Sequence, residues 1–378
     1  MNKFRFLTAG ESHGAELVVI IDGAPSLLPL SIEDINVDLA ERQIGYGRSE
    51  RMRQSKDTAK FISGVRKGYT TGAPIAISID NVLSEEWKGI MSFDKTDNEE
   101  GTFTLPRPGH ADLAGYQKYR NKDLRDVLER ASARETAARV ACGAIARKIL
   151  CELGIEVHAR ITSLGGILNN GTEISLEDFR KCRDTEFRVL DNDVADKMRS
   201  AIDDAKSNGQ SLGGVFEVVA FGVPAGLGSY VQWDRRLDGH ISMALMSIPG
   251  IKGVAFGEGF ELAKKLGSDA QDAIYFEEGS FKRHTNYAGG IEGGMSNGMP
   301  IVASCAMKPI PTLPKGLCSA DIITHANGVG NSERADVCAL RSASVVAEAM
   351  MSITLVNAVF DRFSGDDMTS LKRRTQNG

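Results

Sequence analysis

Six cysteines scattered through 378 residues, with no CxxC pair and no histidine at metal-ligand spacing from any of them, exclude a disulfide framework and leave zinc without a ligand set. They read as small buried hydrophobes in a reducing compartment. Aromatic side chains make up only 6% of the chain and the formal net charge is -5, so neither nucleic acid nor an anionic membrane surface is attracted globally. An RNA-binding protein working through arginine clusters fits that balance poorly. The N-terminal MNKFRFLTAGESHG lacks an apolar h-region, and no run of about 18 apolar residues stands out elsewhere. A cytoplasmic location without a membrane span is therefore expected. No repeat with a period of about 20 to 50 residues occurs, and no Gly/Ser or Pro linker divides the chain.

What is present is a hydrophobic content of 42%, enough for a large core, although length alone suggests about two domains. Leu17 to Ile21 is a continuous apolar run closed by Asp22-Gly23, a buried strand and its turn. Ser31 then caps a helix through Ile32, Ile35 and Leu39 to about Arg42. Ile75, Ile77 and Ile79 alternate with small residues as a half-buried strand does. Ser84 to Pro108 is polar and irregular, a long loop. Ala133 to Leu153 carries the most regular apolar stripe and stops at Gly154, a helix. Strands are expected at Ile155 to Ile161, Val215 to Val219 and Ile301 to Met307, and helices at Val194 to Ala205, Leu237 to Ile248 and Val345 to Phe363. Without regular βαβ spacing, the pattern predicts one compact α+β unit over residues 1–378.

Two histidines stand in unusual surroundings. Gly10-Glu11-Ser12-His13-Gly14 sets a polar trio between glycines at a strand mouth, and Arg107-Pro108-Gly109-His110-Ala111-Asp112 flanks an imidazole with a cation and a carboxylate. Imidazoles titrate near neutrality and suit proton delivery, although either could be an ordinary turn residue. His158, His240, His284 and His325 lack such surroundings. Arginines crowd at Arg42, Arg48, Arg51 and Arg53, where a solvated helix face is the usual explanation, and at Arg125, Arg130 and Arg134. In the second cluster Ser132 and Arg134 stand at a helix mouth, where free N–H groups favour an anion such as phosphate. The glycine-dense segment 288–298 does not match GxGxxG, so a Rossmann or P-loop reading fails. Its backbone must approach either a ligand or another strand. Lys308-Pro309-Ile310-Pro311-Thr312 presents one cation on a stiff segment, and Asp336 could simply cap the helix that follows.

GESHG, RPGHAD, SARETAARVA from Ser132, and the glycine loop followed by KPIPT fall together, in one order, on the signature segments of the chorismate synthase family. The chain resembles that family from Gly10 to about Met350. The resemblance implies a lyase that eliminates phosphate from 5-enolpyruvylshikimate 3-phosphate to give chorismate, with reduced FMN required though no net redox change occurs. It implies a β-α-β sandwich, helices packed between antiparallel sheets, assembled as a homotetramer. Carried over by motif, His13 would protonate the departing phosphate and His110 would protonate or steady the reduced flavin. Ser12 and Ser132 match serines linked to proton relay, and Asp336 matches the carboxylate that takes the C6 hydrogen together with flavin N5. Arg42, Arg48, Arg107 and Arg134 would hold substrate or NADP anions. Flavin contacts would come from Arg130, Ala131, Ser132, Pro249, Gly250, Gly293, Lys308, Pro309, Ile310, Pro311, Thr312 and Arg334. The chain reads RADVCALR where many members read RHDPC. NADPH would serve only as a reductant of the flavin; no separate nicotinamide module is visible, so an external flavin reductase as partner is favoured over reduction of its own flavin by the chain, as bifunctional members do. Ser84 to Thr104 is a candidate lid. A phosphate- or flavin-binding regulator that has lost turnover is the rival reading.

Overall fold

Along Glu16–Asp22 the side chains of Leu17, Val19 and Ile21 are buried while Glu16 and Ile20 face outward, the alternation of a strand with one face on a core. The computed structural model describes residues 4–48, 56–95, 101–171, 175–330 and 336–376. In the first half of the chain, β1 (Arg5–Ala9) and β2 (Glu16–Asp22) precede helix α1 (Glu33–Gln43), and β3 (Ala59–Ser63) and β4 (Ile75–Asp80) follow it. All pair antiparallel, with β2 between β1 and β4 and with β3 on the far edge.

Helices α2 (Asp112–Tyr119), α3 (Arg125–Ala131) and α4 (Thr136–Cys151) lead into a second antiparallel sheet. Its strands are β5 (Glu156–Leu164), β6 (Ile167–Leu168), β7 (Gly214–Phe221), β8 (Ile251–Phe256) and β9 (Ile301–Met307). Helix α5 (Asn192–Ser207) lies between β6 and β7 in sequence, α6 (Leu237–Met246) precedes β8, and α7 (Leu340–Phe363) follows β9. Across this sheet the order runs β8, β9, β7, β5, β6. Helix α4 leans on β2 and β4 of the first sheet, α7 packs on β5 and β7 of the second, and α4, α7, α1 and α6 pack together between them. Helices between two antiparallel sheets are the β-α-β sandwich expected.

The contact between α4 and α7 depends on a missing side chain. A Cβ on Gly143 would lie 2.2 Å from Ala349 Cβ and 2.5 Å from its Cα, so only glycine allows the two helices to touch there. Gly143→Val should destabilise the chain by roughly 1 to 3 kcal/mol through overpacking, read as a lower urea midpoint at unchanged slope. An unchanged midpoint would show that the helices can slide apart freely.

Charge pins the same helices. Arg188 is wholly buried and pairs with Glu348 of α7 at 2.5 Å and with Glu41 of α1 at 3.7 Å, while Asp38 of α1 accepts from Arg147 of α4 at 2.7 Å. Breaking such buried pairs is costly, so the network fixes the register of the elements that carry the cavity described below.

Three expectations change. Leu340–Phe363 is long and apolar enough to cross a membrane, which the sequence reading had excluded for every segment; here it is the buried core helix. It also begins at Leu340 rather than Val345, because Arg341 and Ser342 are bonded to α1: Arg341 to the Glu41 carbonyl and carboxylate, Ser342 to the Arg42 carbonyl. Among the cysteines, Cys142, Cys182, Cys305 and Cys338 are buried, but Cys151 and Cys318 are exposed.

Candidate active site

Gly10 closes β1 at φ +101°, and a Cβ there would stand 2.3 Å from the Glu16 carbonyl oxygen, so glycine lets the chain double back onto β2. This turn buries Ser12 and His13. Asn81, just after β4, donates to the carbonyls of Ser12 at 3.1 Å and Gly14 at 3.0 Å. From α3, the Glu129 carboxylate accepts from His13 N–H at 2.8 Å and from His13 Nδ1 at 2.8 Å, and the indole of Trp87 stacks on the imidazole with centroids 3.8 Å apart. Ser132 breaks the chain between α3 and a 3-10 turn, and its Oγ donates to Ser12 Oγ at 3.2 Å. One wall thus gathers both serines beside one imidazole.

The second wall is made of guanidiniums. Arg42, at the end of α1, is only 3% exposed and donates to Thr136 Oγ1, the Ala133 carbonyl and Asp57 at 2.9, 2.9 and 3.2 Å. Arg134 shares the same Asp57 carboxylate. Burial pushes the Arg42 guanidinium down to about 10; Asp57 opposes the shift, and repulsion from Arg48 and Arg134 adds to it. Arg48 pairs with Asp336 at 2.7 Å, yet its Nε is buried and has no partner among the described residues. An orphaned donor beside crowded cations is the signature of a place made for an anion.

The third wall is the RPGHAD turn. Arg107 grips Asp112 through Nε at 2.8 Å and Nη2 at 3.0 Å. Gly109 has φ +81°, and a Cβ there would come within 2.8 Å of Pro311 Cβ, so the turn lies directly against the KPIPT segment. Lys308 Nζ donates to the Gly109 carbonyl at 2.7 Å, and His110 Nε2 hydrogen-bonds with Thr312 Oγ1 at 3.0 Å. Burial pulls His110 from the ordinary imidazole value of 6.5 to about 4; repulsion from Arg107 and Lys308 reinforces this and Asp112 opposes it. His110 is neutral at pH 7.

That shift has a consequence for stability. Between about 4 and 6.5 the unfolded imidazole binds a proton that the folded one refuses, so the contribution is complete above 6.5 and is lost as pH falls toward 4. His110→Asn should therefore lose less stability than the parent between pH 7 and pH 5, read as urea midpoints at both. Equal losses would mean that His110 titrates normally in the folded chain.

The three walls enclose one cavity of about 480 Å3, a size usual for small-molecule sites. Its described lining includes Ser12, His13, Arg42, Arg48, Arg107, His110, Ala131, Ser132, Arg134, Pro249, Gly250, Lys308, Pro309, Ile310, Pro311, Thr312 and Asp336. The described lining thus carries five cations, Arg42, Arg48, Arg107, Arg134 and Lys308, against two carboxylates, Asp57 and Asp336, while Arg107 is paired with Asp112 behind the wall. Leu128, Ile248, Met307, Ala343 and Val346 supply an apolar wall. A Cβ on Gly250 would stand 3.1 Å from Met307 Cε, so this wall is kept thin by glycine.

Not every expected residue arrives. Arg130 is exposed and ties α3 to β1 through the Gly10 carbonyl at 2.9 Å and Thr8 Oγ1 at 2.7 Å, outside the cavity lining. Gly293 sits exposed in the turn between Ile291–Glu292 and Met295–Ser296, also outside it. The glycine loop instead packs on backbone, since a Cβ on Gly289 would lie 2.2 Å from Gly257 N. Arg334, Arg51 and Arg53 lie outside the described residues. Arg42 and Arg48 are not on a solvated face, because tertiary partners bury them. The expected helix mouth differs too: α4 starts at Thr136, after a 3-10 turn, and the Arg134 N–H is already taken by Ser132 Oγ at 3.3 Å. Asp336 does not cap α7, whose N-cap is Ala339. Asp57, Glu129 and Trp87 were not picked out from the sequence, where nothing local marks them, and Thr136 figured only as the last residue of the SARET motif.

The chain is similar to known proteins over nearly its whole length. Residues 4–360 match the family model described as chorismate synthase. The chain is 47% identical over 375 residues to "Chorismate synthase" of Carboxydothermus hydrogenoformans, covering 99% of this chain and 98% of that protein. It is 50% identical over 381 residues to "Chorismate synthase" of Syntrophotalea carbinolica, covering 100% and 98%. A solved structure, "Crystal Structure of Chorismate Synthase", superposes with a TM-score of 0.81 at 42% identity, covering 99% of this chain and 97% of that one.

Proposed function

Because the chain belongs to the chorismate synthase family, lyases that perform the chorismate-forming step of aromatic amino acid biosynthesis, we propose that the cavity eliminates phosphate from 5-enolpyruvylshikimate 3-phosphate with reduced FMN bound beside it. The observation that carries this reading is that both histidines, both serines, Asp336 and four arginines line one cavity. The residues present fit the two anionic molecules. An orphaned Arg48 Nε and the Arg42–Asp57–Arg134 cluster suit phosphate and carboxylate oxygens, at roughly 1.5 to 3 kcal/mol per charge-assisted hydrogen bond. The apolar wall and the thin Pro249-Gly250 turn suit a flat ring system, with Ala131, Ser132 and Lys308 to Thr312 around it.

In this reading the C–O bond at C3 breaks with its electron pair leaving on phosphate, which takes a proton from His13 Nε2. The C6 hydrogen leaves toward Asp336. Reduced FMN, held by Ala131, Ser132, Pro249, Gly250 and Lys308 to Thr312, would supply an electron that weakens the C–O bond and would regain it as the C6 hydrogen departs. Ser12 and Ser132 extend the hydrogen-bonded path beside His13. His110, neutral and held by Thr312, steadies the reduced flavin by hydrogen bonding; it becomes a proton donor only if a bound anion raises it. Arg107, committed to Asp112, shapes the cavity wall.

Since the cavity draws residues from Ser12 to Val346, residues 1–378 serve as one functional unit. Exposed Phe260, Leu266, Phe276 and Phe281 are apolar surface that assembly into a homotetramer would cover. NADPH acts only through an external flavin reductase, and the enzyme works in the cytoplasm.

An anaerobic assay with reduced FMN and 5-enolpyruvylshikimate 3-phosphate tests the reading. Chorismate and phosphate should appear in equal amounts. Tight binding of the substrate without either product would instead favour a regulator that keeps the anion cage and has lost turnover.

A further inference from the structure

The carboxylate behind His13 belongs to no role described so far. Glu129 is 2% exposed in the middle of α3, and it reaches across 116 positions of sequence to one residue. Its Oε2 accepts from the His13 backbone N–H at 2.8 Å, its Oε1 faces His13 Nδ1 at 2.8 Å, and its backbone carbonyl accepts from Ser12 N–H at 3.0 Å. Arg125, one turn earlier, neutralises it at 3.0 Å. Burial pushes this carboxyl up, but the hydrogen bonds from His13 and Arg125 outweigh burial and hold it below the ordinary value. It is therefore ionised at neutral pH.

An ionised carboxylate can only accept, so the proton on this side of the ring must sit on Nδ1. Rotation is blocked as well. Trp87 covers a ring face at 3.8 Å with planes 29° apart, and the Arg125 guanidinium lies 5.2 Å over the indole. Glu129, Arg125 and Trp87 thus form a bracket around one imidazole, which itself lines the cavity.

We infer that Glu129 is a positioning residue for the elimination: its carboxylate fixes the tautomer and orientation of His13 so that Nε2 serves the leaving phosphate, while Trp87 keeps the ring in that plane. This rests on the reading of His13 as proton donor. In the step itself His13 starts as the imidazolium, protonated on both nitrogens; the Nε2–H bond breaks, the proton goes to a phosphate oxygen, and the ring is left neutral with Nδ1–H still on Glu129. No other electron or proton source is needed for it. A carboxylate holding the far nitrogen of a catalytic imidazole supplies orientation and stabilises the charged ring without exchanging protons.

The test uses the full chain carrying Trp233→Phe, which leaves Trp87 as its only indole because the chain holds two tryptophans. Trp233 is 79% exposed and lies outside the cavity lining. An imidazole stacked on an indole quenches its emission, so His13→Ala should brighten Trp87. Glu129→Gln should move Trp87 emission toward that of His13→Ala and lower kcat about 10²-fold, within the range of lost proton transfer, with KM changed less than about two-fold. Emission and kcat both equal to the parent would overturn the inference. So would lower turnover with unchanged emission, changed emission with full turnover, or a loss carried by KM.

Should Glu129→Gln fail to fold, nitrogen-15 histidine spectra of the unmodified chain decide the matter. A ring proton fixed on Nδ1 that vanishes in His13→Ala supports the bracket, whereas a His13 proton on Nε2 alone overturns it. If the parent makes no chorismate, the functional reading fails. Emission and tautomer would still report whether Glu129 sets the ring.

Discussion

His13→Ala should cut turnover by about 10² to 10⁴-fold at saturating substrate while KM stays within a few-fold of the parent. The two parameters separate because different residues control them. In the proposed function, substrate anions sit against Arg42, Arg48 and Arg134 on another wall of the cavity, whose contacts to Asp57, Thr136 and Asp336 do not involve His13. Removing the imidazole leaves those contacts in place and takes away the proton that makes phosphate a good leaving group.

Folding is the obvious alternative explanation for such a loss, and the structure limits it. Glu129 keeps its ion pair with Arg125 at 3.0 Å and its bond from the His13 backbone N–H at 2.8 Å after the ring is deleted. No buried charge is stranded, so the urea midpoint should fall modestly. Wild-type kcat in His13→Ala would remove the residue from the chemistry. A loss that appears entirely in KM would reassign it to binding.

How much of this was legible in the sequence depended on how local the cause was. Strands β2, β4, β7 and β9 announce themselves through continuous or alternating apolar residues, and α4 through its stripe of alanine, valine and isoleucine. By contrast β1 was invisible, since Arg5–Ala9 lies at a sheet edge with no wholly buried residue and owes its conformation to pairing with β2. The start of α7 was read late for a related reason: Arg341 and Ser342 look like surface residues until α1 supplies their partners.

The site divides in the same way. Glycine-bounded motifs flagged His13 and His110 because Gly10 and Gly109 allow approaches that a Cβ would prevent. Asp57 and Glu129 carry no such mark, and the contacts that join them to Arg134 and His13 span 77 and 116 positions. Arg130 shows the opposite failure. It belongs to the right segment, but its guanidinium is already used by the carbonyl of Gly10 and by Thr8, so proximity in sequence did not place it in the cavity.

Asp336→Asn should lower kcat by about 10² to 10⁴-fold without weakening substrate binding, because an amide of nearly the same shape cannot take up the C6 hydrogen as a carboxylate can. Arg48 makes this more than a loss of base. In the described chain the two side chains are bound to each other at 2.7 Å, while Arg48 Nε waits buried without a partner. An arriving phosphate or carboxylate competes with Asp336 for that guanidinium, so loading the anion loosens the carboxylate that the reaction needs. Arg48→Met should consequently raise KM by roughly 10- to 150-fold, the equivalent of one lost charge-assisted hydrogen bond. Asp336→Asn should leave KM equal or lower, since the competing carboxylate is gone. The double variant should then fall short of the product of the two single effects, as residues in direct contact do. Steady-state kinetics of all four chains decide it: independent effects would mean that Arg48 and Asp336 part before substrate enters, and a wild-type kcat in Asp336→Asn would place the hydrogen acceptor elsewhere.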